Sequence, residues 1–266
     1  MLLARSDPYL PAAELYRGRS FRLAVRAAET LQADMGVISA GLGYVRGTTP
    51  VPPYDLTVAD RASASVSTRV EGRFDPVAWW RSVAVGRYAS DLVADLIGRP
   101  IVLICLSRNY AKMLAQELER MHLAGVPLRI FGLNIGSALP PQVRQSVLPY
   151  DERLSQVGLS GTRTDFAQRA LVHYVESILP RRAGISSERE LIAAQMSRGQ
   201  ARPSRHAQRL PDRAIKERIL AVAGNFGGSK SRVLRHLRHV EGIACEQGRF
   251  SRLFAEVRSE GQEDDQ

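Results

Sequence analysis

Apolar positions along the chain recur first at helical spacing and then collect into short continuous runs. Between Ser20 and Ala33 the residues Phe21, Val25, Ala28 and Leu31 fall three or four apart, which predicts an amphipathic helix. Val37 to Ser39 reads as a buried strand that leads into the glycine-broken turn Ser39-Ala40-Gly41-Leu42-Gly43. Asp75-Pro76 is a helix start, with Asp at the cap and Pro in the first turn. That helix is expected to run through Trp79, Val83 and Tyr88, and a further helical stretch from Asp91 to Ile97 ends at Gly98. Pro100 precedes Ile101 to Leu106, a continuous apolar run of the kind found in parallel sheets. Ser107 then opens a helix from Asn109 to about His122, and Leu128 to Leu133 is another short buried strand. Strand, helix, strand in this order predicts an α/β domain with a mainly parallel sheet layered with helices.

The second half of the chain shows helical patterns and no comparable strand. Thr164 to Leu179 is a helix ending at Pro180, and Ser187 to Met196 a shorter one. Residues 197–211 read as a basic loop, either a tether or a direct DNA contact. Asp212 to Val222 is a helix that Gly224-Asn225-Phe226-Gly227-Gly228 breaks. Ser229 then caps the basic helix Lys230 to Val240, and Gln247 to Arg258 forms a last helix. The expected division is an α/β domain over 1–180 and a basic helical module with an acidic tail over 181–266.

Composition sharpens this division. At 266 residues with 44% apolar content the chain can bury a sizeable core. No apolar run approaches the ~20 residues a membrane span needs, and the N-terminus lacks a signal-peptide layout. Two distant cysteines, Cys105 and Cys245, fit reduced thiols in a cytoplasmic protein. No cysteine–histidine cluster has zinc spacing, so no metal is expected. No GxGxxG or Walker loop is present, so no nucleotide cofactor is expected either.

The net charge of +10 is unevenly placed. Residues 1–151 carry 17 Lys+Arg against 13 Asp+Glu, residues 152–258 carry 20 against 10, and the last eight carry four acids and no base. A concentrated basic excess favours a polyanion partner, most simply DNA. The plain alternative is the arginine richness of a GC-rich genome, which fits the presence of only three lysines.

Candidate chemistry gathers at the ends of the expected strands, where α/β domains bind ligands. One end offers Ser39, Gly41, Gly43 and Tyr44. Another offers Ser107, Arg108, Asn109 and Tyr110, and a third, Asn134 to Ser137, could close the pocket. Pro50, Pro52 and Pro53 stiffen the arm that carries Tyr54 and Asp55. Asn109 can make a two-point hydrogen bond to a base edge; alternatively, Ser107 and Asn109 simply cap the helix. Asp55 could likewise serve only as a turn residue. A second Pro-Tyr-Asp triplet, ending at Asp151, is read as chance, and Asp165 is given a structural role at a helix start. In the C-terminal segment Lys230, Arg232, Arg235 and Arg238 would face a groove or phosphates, with Val233, Leu234 and Leu237 turned to a core. Arg249 and Arg252 on the next helix could add contacts. The alternative is a solvated basic face.

Three ordered stretches carry a resemblance. Pro11-Ala12-Ala13-Glu14-Leu15-Tyr16-Arg17-Gly18, then Ser39-Ala40-Gly41-Leu42-Gly43-Tyr44-Val45, then Pro53-Tyr54-Asp55-Leu56-Thr57 together resemble the peroxide-stress YaaA-like α/β family. That family is similar, more distantly, to tRNA-guanine transglycosylase-type enzymes, and some relatives are DNA glycosylases that act against phages carrying modified bases. The likeness spans about residues 1–175. It departs at the opening, where the family's Cys-Ser and nearby Lys are absent from Met1 to Asp7: either that function is lost or the chain starts late. The resemblance implies a DNA glycosylase that excises a modified base after extruding it. Asp55 would stabilise the positive charge that builds on the sugar, and Asn109 would read the base edge. Ser39, Gly41, Tyr44, Tyr54, Ser107 and Tyr110 would line the base pocket. A base-exchanging transglycosylase is the near variant. The rival from another class is a DNA-binding regulator or sensor with an inactive α/β domain. The C-terminal Gly224 to Arg238 segment resembles the turn and recognition helix of helix-turn-helix modules.

Overall fold

The computed structural model describes residues 9–59, 64–181, 184–199 and 208–263. The chain divides into two compact units, Met1–Ala201 and Arg202–Gln266. The division falls later than the expected one after residue 180. The reason is that the helix Ile185–Ser197 buries Ile192 and Met196 in the same cluster as Tyr174 and Ile178.

The first unit opens with β1 (Leu10–Pro11), the single-turn helix α1 (Ala12–Leu15) and the longer α2 (Arg19–Leu31). Of the expected positions Phe21, Val25, Ala28 and Leu31, only Leu31 lies on the stripe that packs on the main cluster: Ala27 is buried there, with Leu23 and Leu31 half-buried four residues to either side. Phe21 packs on a different, smaller cluster, and Val25 lines a groove beside it. Strands β2 (Gly36–Ser39) and β3 (Gly43–Arg46) form an antiparallel hairpin, and β4 (Pro50–Val51) pairs antiparallel with β1. The hairpin loop has three residues, and Gly43 closes it at φ +76, a left-handed conformation that favours glycine.

Two helices, α3 (Pro76–Val83) and α4 (Leu92–Leu96), follow, each capped by an aspartate. Asp75 accepts from the amides of Val77 and Ala78, and Asp91 from those of Val93 and Ala94. The chain between them, through Tyr88, is not helical, so the first helix is shorter than expected. Then come β5 (Val102–Cys105), α5 (Arg108–Met113), α6 (Ala115–Leu123) and β6 (Leu128–Phe131). Leu114 separates two helices where one was expected. β5 and β6 pair in parallel, with Val102 opposite Leu128 and Cys105 opposite Phe131, and Val147 bridges onto Ile130 beyond them.

The unit is mixed α/β, and the expectation of a mainly parallel sheet is corrected: of the three two-stranded ladders among the described residues, only β5–β6 is parallel. The three-residue loop after Ser39 returns the chain at once, which permits only an antiparallel partner. The period-two rule holds within β5. Val102 and Ile104 pack with Met113, Leu118 and Met121, while Leu103 and Cys105 pack with Leu171 and Phe131.

The remaining helices of this unit are α7 (Leu154–Val157), α8 (Phe166–Ser177) and α9 (Ile185–Ser197). α8 is buried nearly all round, so its polar groups need partners. Arg169 is 2% exposed and forms an ion pair with Asp165 at 2.8 Å, while donating to the main-chain oxygens of Leu159 and Thr162. Tyr150 and His173 share a buried hydrogen bond of 2.9 Å.

The second unit is helical: α10 (Asp212–Ala223), α11 (Lys230–His239) and α12 (Gln247–Glu263). Ile215, Ile219, Val233, Leu237, Phe250 and Leu253 are fully buried in one cluster. Burying side chains of this size contributes roughly 1.5–3 kcal/mol each before the entropy cost. A 3-10 turn, Gly224–Phe226, and the left-handed Gly227 and Gly228 separate α10 from α11. Ser229 stands at the cap position of α11, but its hydroxyl makes no capping bond. Residues 200–207 of the basic loop lie outside the described residues.

Candidate functional site

The hub of the N-terminal site is Ser39, 2% exposed at the end of β2. Its hydroxyl accepts the amides of Gly41 at 3.1 Å and Leu42 at 2.9 Å. Those bonds use both oxygen lone pairs, so the hydroxyl hydrogen is left for the Tyr54 oxygen, 2.5 Å away. The Tyr54 hydroxyl lies 2.5 Å from that of Tyr16, and a single proton bridges that pair. The result is a line of three hydroxyls from the buried turn to a half-buried tyrosine. Burial, and then the neighbouring Tyr54, push the Tyr16 phenol far above its ordinary value, so Tyr16 stays neutral.

The hairpin turn is fixed from two further sides. The indole of Trp79 donates to the Ala40 oxygen at 2.7 Å. A Cβ on Gly41 would lie 3.1 Å from Leu56 and 3.4 Å from the Tyr54 ring, so residues 54–56 pack directly on that backbone. Tyr16 meets Tyr54 edge-on, with centroids 6.3 Å apart, and Phe21 lies 5.1 Å from Tyr16.

The strand-end helix α5 joins the same arm. The Asn109 side-chain amide donates to the Val58 oxygen at 2.8 Å. Asn109 therefore does not cap its helix; Ser107 does, through a long 3.5 Å bond from the Tyr110 amide. Burial raises the Tyr110 phenol well above its ordinary value, and Tyr54 adds to the shift. Arg108 donates to the Asn134 oxygen at 3.2 Å and to the Ser137 hydroxyl at 2.8 Å, tying the third strand end to the second. Asp55 is exposed on this arm, and its carboxylate has no hydrogen bond or ion pair among the described residues. Only its main-chain oxygen is engaged, by Arg69 at 3.3 Å.

Thus Ser39, Gly41 and Tyr54 are in contact, and Asn109 holds the loop that carries Asp55. Tyr44 is elsewhere, which corrects its place in the expected pocket. Its cross-strand partner is Ile38, so by alternation it stands on the opposite face of the hairpin from Ser39. Its hydroxyl donates to Asp95 at 2.9 Å, and Arg46 pairs with the same carboxylate. Gly36 permits this path, because a Cβ there would collide with the Tyr44 ring. Asp151 is paired with Arg153, and Asp165 with Arg169 and Arg19. The contact that sequence reasoning left out is Tyr16. Its signal was present in the Leu15-Tyr16-Arg17-Gly18 stretch, but nothing in spacing joins residue 16 to residue 54.

In the second unit the six expected DNA-facing cations separate into two groups. Lys230, Arg232 and Arg235 are exposed and have no partner among the described residues. The other three have partners within the unit. Arg238 donates twice to the Cys245 oxygen, at 3.0 and 2.7 Å. Arg249 binds Asp212 at 2.5 Å and the Leu210 oxygen at 2.9 Å, and Arg252 binds Asp212 at 2.7 Å and Glu256 at 2.8 Å. These two arginines hold the Asp212 carboxyl below its usual range. Arg249 and Arg252 thus tie α12 to α10, and Arg238 ties α11 to the segment that precedes α12, so these three already have partners that Lys230, Arg232 and Arg235 lack among the described residues.

Among the described residues, no helix is long and apolar enough to cross a membrane. No protein-family model, characterised protein or solved structure matches the chain.

Proposed function

We propose that this chain is a DNA-directed N-glycosidase: the first unit works on an extruded base, and the second holds duplex DNA through a helix-turn-helix-like α10–turn–α11. The observation that carries the reading is the arm of residues 54–58. It is pressed onto the Ser39 turn, held by Asn109, and presents an uncommitted carboxylate at Asp55 beside Tyr54. Breaking a glycosidic bond builds positive charge on the sugar, and a carboxylate with no cation partner among the described residues is available to stabilise it. Asn109 spends one amide hydrogen on Val58 and keeps its Oδ1 for the exocyclic amine of a base. The motif likeness to glycosylase relatives supports the same reaction class, and a modified base is the expected target.

The test is incubation of the protein with phage DNAs that differ in base modification, scoring released base and abasic sites. The expected result is base release from at least one modified DNA and none with Asp55→Ala, whose fold and DNA affinity stay unchanged. A fully active Asp55→Ala protein would falsify the assignment.

A second reading has its own support. Lys230, Arg232 and Arg235 stand on one helix without partners among the described residues, as a DNA-binding regulator needs, while the hydroxyls of Ser39, Tyr54 and Tyr16 satisfy one another. Duplex binding without base release from any modified DNA would favour that regulator.

A further inference from the structure

Beside the hydroxyl line lies a groove of about 390 Å3 that the proposed reaction leaves unused. Tyr16 and Phe21 form one part of its wall, and Arg17, Arg22 and Arg26 stand along it with the single acid Glu29. Arg26 is committed to Glu176. Arg17 and Arg22 are exposed and have no ion pair or hydrogen bond among the described residues. Two half-buried aromatic rings, 5.1 Å apart, thus sit between uncommitted guanidinium groups.

We propose that this groove binds single-stranded DNA: the nucleotides flanking the extruded one, with phosphates on Arg17 and Arg22 and a base face on the Tyr16–Phe21 wall. The inference rests on the glycosidase reading and extends it from the reacting nucleotide to its neighbours. Three features select this ligand. Guanidinium groups without carboxylate partners among the described residues suit a polyanion. Rings in the same wall suit a ligand with exposed π-faces, and single strands expose bases that a duplex keeps stacked. The third is continuity: Tyr16 lines the groove and is also hydrogen-bonded to Tyr54, the residue preceding Asp55. Tyr16 thus links the wall of the groove to the residue beside Asp55. A protein segment could also use the charge, but rings interleaved with arginines favour the nucleic acid.

The test is fluorescence anisotropy with the full chain and a labelled oligothymidylate, titrated across salt. Arg17→Ala/Arg22→Ala should weaken binding tenfold or more and flatten the log–log salt dependence by about 0.7 for each arginine removed. Phe21→Leu, which keeps the apolar packing but loses the ring, should weaken it about fivefold or more. Arg73→Ala/Arg198→Ala, two exposed arginines away from the groove, removes the same charge and should leave binding within twofold. Duplex affinity of the groove variant should stay within threefold. Oligothymidylate binding unchanged in Arg17→Ala/Arg22→Ala overturns the inference, as does an equal loss in the Arg73→Ala/Arg198→Ala control or on duplex. Base release is scored separately. Release with an intact strand affinity in the groove variant sinks the groove alone; strand binding lost in that variant, with no release by the wild type, sinks the glycosidase reading alone.

Discussion

The side-chain amide of Asn109, in the first turn of α5, donates to the main-chain oxygen of Val58 at 2.8 Å, across 51 residues of sequence. Val58 is 3% exposed, so its oxygen has little water to turn to. The bond ties the strand-end helix to the arm that carries Tyr54 and Asp55, and one residue both shapes that arm and keeps an acceptor free.

Asn109→Ala leaves a buried carbonyl unsatisfied, so it should cost about 1–3 kcal/mol of stability. Asn109→Asp should cost a similar amount, since an ionised carboxylate cannot donate. Thermal melting of both, with Asp55→Ala as a stable control, checks this. If Asn109 also reads the base, single-turnover release should fall about tenfold or more while duplex affinity holds. A change in melting alone leaves Asn109 as a loop clamp and removes it from the base pocket.

The free and committed cations of the second unit should behave differently. Lys230→Ala/Arg232→Ala/Arg235→Ala should lower duplex affinity steeply and reduce the salt slope by about 0.9 for each phosphate that is no longer neutralised. Its melting temperature should hold, because these side chains have no partner among the described residues. Arg249→Ala should do the reverse: it strips one of the two arginines from Asp212 and frees the Leu210 oxygen, loosening α10 from α12. Salt titration and melting on the same two proteins separate the roles. A salt slope unchanged in the triple variant would remove α11 as the duplex-binding helix.

Much of the frame of helices and strands was legible in the sequence. Asp75-Pro76, the Val102–Cys105 run and the glycine break at 224–228 all stand where local chemistry puts them. Local chemistry did not reveal β3. Gly43 looks like a turn residue, and whether Tyr44 begins a strand depends on its pairing with Ile38. The candidate site was legible in its members and not in their contacts. Ser39, Tyr54 and Asn109 could be named, but Tyr16, 38 residues from Tyr54, could not be joined to them. Arg249 and Arg252 misled for the same reason. Sequence shows their charge, while Asp212, the carboxylate that both of them bind, stands on another helix.

The buried pair of Arg169 and Asp165 should be among the costliest to break. Their side chains are 2% and 4% exposed, and Arg169 also holds the oxygens of Leu159 and Thr162. Arg169→Ala leaves the buried Asp165 with the Thr162 amide at 2.8 Å and the exposed Arg19 at 3.3 Å, and should lose about 3–5 kcal/mol. The double variant Arg169→Met/Asp165→Asn should recover part of that loss, because no buried charge is left alone. Denaturant unfolding of the two proteins measures both; a double variant no more stable than Arg169→Ala would show that the backbone bonds, not the charge, carry the cost.

Acid should act on the first unit through His173 before it reaches the carboxylates. Burial holds the imidazole below its ordinary 6.5, in a hydrogen bond with Tyr150 that a neutral ring satisfies. The sign follows from proton counting. As pH falls below about 6.5 the unfolded chain takes up the proton first, so stability drops until pH passes below the depressed folded value. Asp165 and Asp95, lowered by their arginine partners, contribute stability that is present above the unfolded value near 3.8 and lost as pH falls through their folded values. They therefore leave the window from about 6.5 to 5 to the histidine. The melting temperature of the wild type should fall across that window, whereas that of His173→Gln should stay nearly level, starting lower if the Tyr150 bond is weakened. Parallel curves for the two proteins would show that His173 titrates alike in the folded and unfolded chain.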